Sequence, residues 1–146
     1  MGDAEVKIVQ RWFQEVWNER RGESIGALLR PDAVCHAATG DIAGADAWKA
    51  QFWEPFMAAF SDIKIVLDRV LSQDQEAAVR WTVSMRHTAP FLGIPASGKT
   101  VSAYGTTWLR VEDGHLAEGW DTWDLTGLLV DIGAPVDVLK RGRSRA

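Results

Sequence analysis

Between residues 63 and 123 the chain carries four strand-like runs, at 63–71, 77–87, 100–111 and 115–123, and this succession constrains the fold more than any other feature. Asp74 marks the first turn, PFLGIPASGK forms a longer loop, and VEDGH (111–115) connects the last pair. Runs joined in this way read as hairpins of one antiparallel sheet. The segment before them has a different period. Val6, Val9, Phe13, Val16 and Trp17 recur at spacings of three and four, which predicts an amphipathic helix ended by Gly22. Ser24 is placed to cap a short second helix carrying Ile25, Leu28 and Leu29, which Pro31 stops. AVCHAA (33–38) reads as a short strand and TGDIAG as a loop. Asp46 then begins a third helix with Trp48, Phe52, Phe56 and Phe60, and Pro55 is expected to kink it. Helices first and hairpins afterwards argue an α+β fold, with the helices on one face of an antiparallel sheet. Gly105 and Gly119 are candidate bend points.

A length of 146 residues suits one domain with a real core, expected over 1–133, followed by a flexible tail at 134–146. The net charge of −4 gives no reason to expect nucleic acid or an anionic membrane as a partner, and the terminal RGRSRA reads as a solvated end. A single cysteine, Cys35, allows no internal disulfide and fits a reducing cytoplasm. The opening MGDAEVKIVQRW has no apolar run of signal-peptide type, and no stretch approaches the ~18 apolar residues of a membrane span. Eight tryptophans stand out; their flat indoles suit a core, or a pocket for a flat aromatic ligand.

The last hairpin carries the candidate chemistry, and its register decides which side chains meet. A two-residue turn at Asp113-Gly114 pairs Glu112 with His115 and sets Asp121 opposite Thr106. A three-residue turn pairs Val111 with His115 and sets Asp121 opposite Gly105, with Thr107, Leu109 and Val111 on the same face. Hydrophobicity favours the three-residue turn, because Ala103, Leu109, Val111, Ala117 and Trp123 then join Asp121 on one apolar face. The other face holds Tyr104, Thr106, Trp108, Arg110, Glu118 and Trp120, amphipathic enough for a subunit interface in a homo-oligomer, a dimer or tetramer.

Asp121 and Asp124 lie an odd number of positions apart, so within a strand they cannot converge as a catalytic pair. Asp124, just before LTGLL, is placed to cap the final turn. Asp121 on an apolar face is costly when ionised, so its pKa is expected to rise, as a general acid or base requires; the bland alternative is a hydrated carboxylate at the mouth of the sheet. His87 shares a face with Val79, Trp81, Val83 and Met85, where a histidine is either a satisfied core residue or a donor to a carbonyl oxygen. Of Cys35 and His36 only one can face inward, and a buried structural thiol is the default for Cys35. His115 belongs to a turn. Three scattered histidines without ligand spacing argue against a metal site, and GIPASGK lacks the phosphate-loop pattern.

RWFQEVWNER, PDAVCH, the block RHTAPFLGIPASGKTVSAYGTTWLRVEDGHLAEGWDTWD and its continuation LTGLLVDIG resemble the SnoaL-like polyketide cyclases over roughly residues 4–133. The resemblance implies a cone: a strongly curved antiparallel sheet wrapped by three helices around a deep pocket. It implies an enzyme that needs no cofactor and acts on a small aromatic polyketide of anthracycline type. Asp121 would be the acid/base of an intramolecular aldol ring closure, and His87 would help polarise a carbonyl. Phe13, Trp17, Phe52, Phe91 and Trp123 would hold the flat substrate, with Cys35, His36, Gly105 and Thr107 completing its contacts. The sequence departs from the cyclases where they carry a glutamine and a histidine facing the aspartate, here Gly105 and Thr107, and where they carry an asparagine on the first strand, here Cys35. Donors that would stabilise an enolate are therefore partly replaced. A related branch of C-hydroxylases is a second reading, and a non-catalytic pocket protein a third, since this fold serves many roles.

Overall fold

The computed structural model describes residues 2–135. The N-terminal period folds as α1 (Asp3–Arg11), which continues into a widened π-helical turn over Trp12–Asn18. The wider turn buries Trp12, Phe13, Val16 and Trp17 together. Asn18 then fixes the end of this helix to the sheet: its amide donates to the Ile65 carbonyl (3.0 Å) and its oxygen accepts from the Ile65 N–H (2.7 Å). Helix α2 (Glu23–Leu28) follows, with Gly22 at the N-cap position. Ser24 is therefore inside the helix rather than its cap, and its buried hydroxyl donates to Glu15 (2.7 Å).

Leu29 is already extended, and β1 (Leu29–Ala37) turns into β2 (Gly40–Ala43). The TGDIAG segment is thus half of a hairpin, with Cys35 paired to Ile42, and not a plain loop. Its strand is short and almost unburied, so it shows no apolar alternation to read. The second helical stretch is α3 (Ala45–Trp48), a π turn (Lys49–Trp53) and α4 (Glu54–Ala59). Pro55, which has no N–H to donate back along the helix, sits in the first turn of α4 directly after that π turn.

The long strands are β3 (Phe60–Gln73), β4 (Glu76–His87), β5 (Thr100–Glu112) and β6 (His115–Trp123). With the first hairpin they form one open, curved sheet in the order β2-β1-β6-β5-β4-β3. Neighbours are antiparallel except β1 and β6, which run parallel, so the expected antiparallel sheet is mixed. Local alternation reveals which face a residue takes, and it carries no information on a pairing between strands so distant in sequence.

Alternation is strict on β4, where Ala77, Val79, Trp81, Val83, Met85 and His87 are buried. It is equally strict on β5 through Val101, Ala103, Gly105, Thr107 and Leu109. These inward residues and the helices enclose the core. Helix α5 (Leu125–Asp131) closes the described chain, and Asp124 caps it as expected by accepting from the Gly127 N–H (3.0 Å). Among the described residues, no helix is long and apolar enough to cross a membrane. The tail expected at 134–146 falls, from residue 136 on, outside the described residues.

Candidate active site

The register of the last hairpin corrects one expectation and explains why another succeeds. Glu112 pairs with His115 across a two-residue turn, with Asp113 and Gly114 both at positive φ (52° and 75°). This is the turn the strand twist prefers. Alone it would set Asp121 opposite Thr106. A bulge intervenes: Val111 pairs with Leu116 but Arg110 with Glu118, which leaves Ala117 as an extra residue in β6. Asp121 therefore lies opposite Thr107, not Gly105, and yet on the inner face that hydrophobicity demanded. Leu116 and Ala117 are both buried, as a bulge permits.

The inner face opens into a cavity of about 820 Å³, part of it open to solvent. Among the expected contacts, Phe13, Trp17, Cys35, Phe52, Thr107, Asp121 and Trp123 all line it. Phe91 belongs to an adjoining outer recess that shares Phe52 and Trp123 with the cavity. Gly105 lies beneath the wall: a Cβ there would stand 2.6 Å from Trp123 Cβ and 2.7 Å from both the Thr122 carbonyl and Trp81 Cζ2. The missing side chain lets two indoles close over β5, with ring centroids 6.3 Å apart. The wall also includes Trp12, Trp48 and Trp81, which the sequence reading took only collectively with the other tryptophans, and Phe56, which it did not assign to the site. The periodic positions of Trp48, Phe56 and Trp81 marked them as apolar face, which does not distinguish core from cavity lining.

Inside this apolar wall Asp121 is held by a short relay. Trp81 Nε1–H donates to Thr107 Oγ1 (2.9 Å), and the Thr107 hydroxyl donates to Asp121 Oδ1 (2.6 Å). Burial raises the Asp121 pKa, and the Thr107 hydrogen bond opposes that rise only in part. Oδ2 receives no hydrogen bond from the described residues. Cys35 faces the same space. Burial, and secondarily the charge of Asp121, push its thiol up to about 12, so it is a neutral S–H and no nucleophile at neutral pH.

Two expected site residues are elsewhere. With Cys35 inward, His36 must point outward. There it lies between Asp41 (2.8 Å to Nδ1) and Glu118 (2.7 Å to Nε2), stacked on Trp120 at 5.3 Å. His36 is thus an outer-face residue and not a substrate contact. His87 is inward-facing and fully buried, but it does not line the cavity. Its Nδ1 accepts from the Ser97 N–H (3.1 Å) and its ring packs on Phe60 at 5.3 Å, so it ties the 88–99 loop to the core instead of reaching a substrate carbonyl. Among the described residues, no group of three or more His, Cys, Asp or Glu is placed to hold a metal ion.

What the site can do is set by this inventory: a carboxyl of raised pKa with one oxygen uncommitted, facing aromatic walls that suit a flat ligand. The comparisons agree with that geometry. None of the curated proteins matches the chain by sequence. Among solved structures, a candidate SnoaL-like polyketide cyclase from Jannaschia sp. CCS1 superposes with a TM-score of 0.83 at 23% identity, over 91% of this chain and 94% of that one. TsrD from Streptomyces laurentii matches with a TM-score of 0.79 at 27% identity, covering 90% and 96%. AclR from Streptomyces galilaeus, described as a candidate hydroxylase, matches with a TM-score of 0.73 at 26% identity, covering 89% and 92%. The family model for SnoaL-like polyketide cyclases matches residues 7–132, a span that runs from within α1 to the end of α5 and holds the whole sheet and Asp121, and the chain belongs to that family.

Proposed function

We propose that this protein closes a ring on a polycyclic aromatic polyketide of anthracycline type by intramolecular aldol condensation, without a cofactor. The observation that carries this is Asp121: a carboxyl of raised pKa in an apolar cavity, oriented by Thr107, with Oδ2 left for a ligand. In the ionised form it removes a proton from a carbon already acidified by a neighbouring ester or ketone. The enolate attacks a carbonyl of the same molecule, and the protonated carboxyl returns its proton to the new alkoxide. Trp17, Phe52 and Trp123 hold the ring system flat, which fixes the attack geometry and excludes water.

A second reading, oxygen-dependent hydroxylation of the same class of molecule, is favoured by the 26% identity to AclR. Incubating the purified protein with an anthraquinone ester precursor under nitrogen and under air separates the readings. Product under nitrogen supports cyclisation, product only under air supports hydroxylation, and binding without product under either gas overturns both.

The outer face supports a further part of the proposal, self-association with a second copy. Tyr104 and Trp108 are 57% and 47% exposed there, beside Trp120 on β6. Light scattering at micromolar concentration is expected to show a dimer or larger, and a monomer refutes it.

A further inference from the structure

The relay behind Asp121 has a direction. An indole nitrogen carries a hydrogen and no acceptor lone pair, so Thr107 cannot turn its own proton toward Trp81. Having one proton to give, the hydroxyl gives it to Asp121 Oδ1. The reverse arrangement, a protonated Oδ1 donating to Thr107, strands the hydroxyl proton of a buried threonine, whereas a proton on Oδ2 faces the partly open cavity, where water or a ligand can accept it.

We propose that Trp81, acting through Thr107, is a positioning residue that confines the exchangeable proton of Asp121 to Oδ2, the oxygen the protein leaves for a ligand. Gly105 makes the arrangement possible. It pairs with Trp81 across the β4–β5 ladder, and only the absent Cβ lets the indole cross β5 to reach Thr107, the next inward residue. Accepting from Trp81 also polarises the Thr107 hydroxyl, which makes it a stronger donor to the carboxylate. The same device orients the carboxyl whether it is taking or returning a proton. The kinetic consequence rests on the acid–base reading of Asp121; the location of the proton does not.

Neutron diffraction from crystals of the full chain in heavy water, at a pH below the titration of Asp121, tests the location directly. Deuterium on Oδ2, with the Thr107 deuterium directed at Oδ1, is expected; deuterium on Oδ1 overturns the proposal. A carboxyl-carbon NMR titration of Asp121 tests the role of each residue. Thr107→Val should favour the protonated form by roughly ten- to hundredfold, because a hydrogen bond to the charged form is lost. Trp81→Phe should act in the same direction by less, and Thr107→Ser should restore the parent titration and serve as the folded control. An unchanged titration in Trp81→Phe removes Trp81 from the device, even if Thr107→Val proves unstable. In turnover assays the acidic limb of the pH profile should move with the titration, to higher pH in Thr107→Val. An Asp121→Asn protein that still turns over would sink the acid–base reading while leaving the titration results standing.

Discussion

Glu118 and Asp121 stand three residues apart on β6 and meet opposite surroundings. The Glu118 carboxylate lies on the outer face, bonded to His36 (2.7 Å) and close to Arg110 (3.5 Å), in a charged band that continues through Asp41 and Glu112. Asp121 looks inward, takes one hydrogen bond from a threonine and is otherwise walled by aromatic and aliphatic groups. The same functional group is a structural ion-pair partner on one face and a candidate proton carrier on the other. The odd spacing sends the two in opposite directions, and the environment then does the rest.

The largest expected effect breaks the inner side of this contrast. Asp121→Asn should lower turnover by roughly 10²–10⁴-fold, the span usual for a lost general acid or base. It should also stabilise the fold at neutral pH. Burial places the folded-state pKa of Asp121 above its unfolded value. Stability linked to this group is therefore fully present below the unfolded pKa and is lost as pH rises through the folded one. Asparagine keeps the shape without that penalty, so the melting temperature should exceed the parent's at neutral pH and the difference should shrink on acidification. A variant no more stable at neutral than at acidic pH would mean the carboxylate is better solvated than its surroundings indicate.

Gly105→Ala attacks the wall rather than the carboxyl. The new Cβ would meet the Thr122 carbonyl and Trp123 Cβ, neither of which can swing away. A loss of about 1–3 kcal/mol in denaturant unfolding is expected from overpacking of this kind. A neutral result would show that the two indoles can separate without cost.

The smallest effect belongs to the outer face. Hydrogen bonds donated by its ring to Glu118 and then Asp41 raise the pKa of His36. Their contribution is present below the unfolded pKa and fades as pH rises through the folded value. His36→Gln should lower the melting temperature slightly at mildly acidic pH and hardly at all at alkaline pH, since partly exposed ion pairs contribute little. A large loss at alkaline pH would assign His36 a packing role on Trp120 instead.

Much of this was legible in the residues themselves. The two periodicities placed the helical segments and the four long strands, although Phe60, read as the last turn of the third helix, is extended and opens β3, and odd spacing separated Asp121 from Asp124. Other features were hidden because nothing local encodes them. Ala117 looks like any small apolar residue, yet as the bulge it returns Asp121 to the inner face after a turn that would have sent it outward. His87 shares the alternation of the cavity-facing β4 residues but lies behind Phe60 rather than on the wall. The parallel pairing of β1 with β6, which sets Cys35 opposite Gly119 and so beside Asp121, joins segments that share no local pattern.

The sequence by itself determined which face the residues of β4 and β5 take, because a period of two is a property of the backbone wherever no bulge interrupts it. It also determined that one carboxylate would stand among apolar neighbours. The tertiary structure alone decided what surrounds that carboxylate. The absence of a side chain at Gly105 matters only because Trp81 crosses it, and Thr107 becomes a directed donor only because that indole occupies its other side. Such relations arise between strands, where register, bulge and close approach fix distances that composition and period leave open.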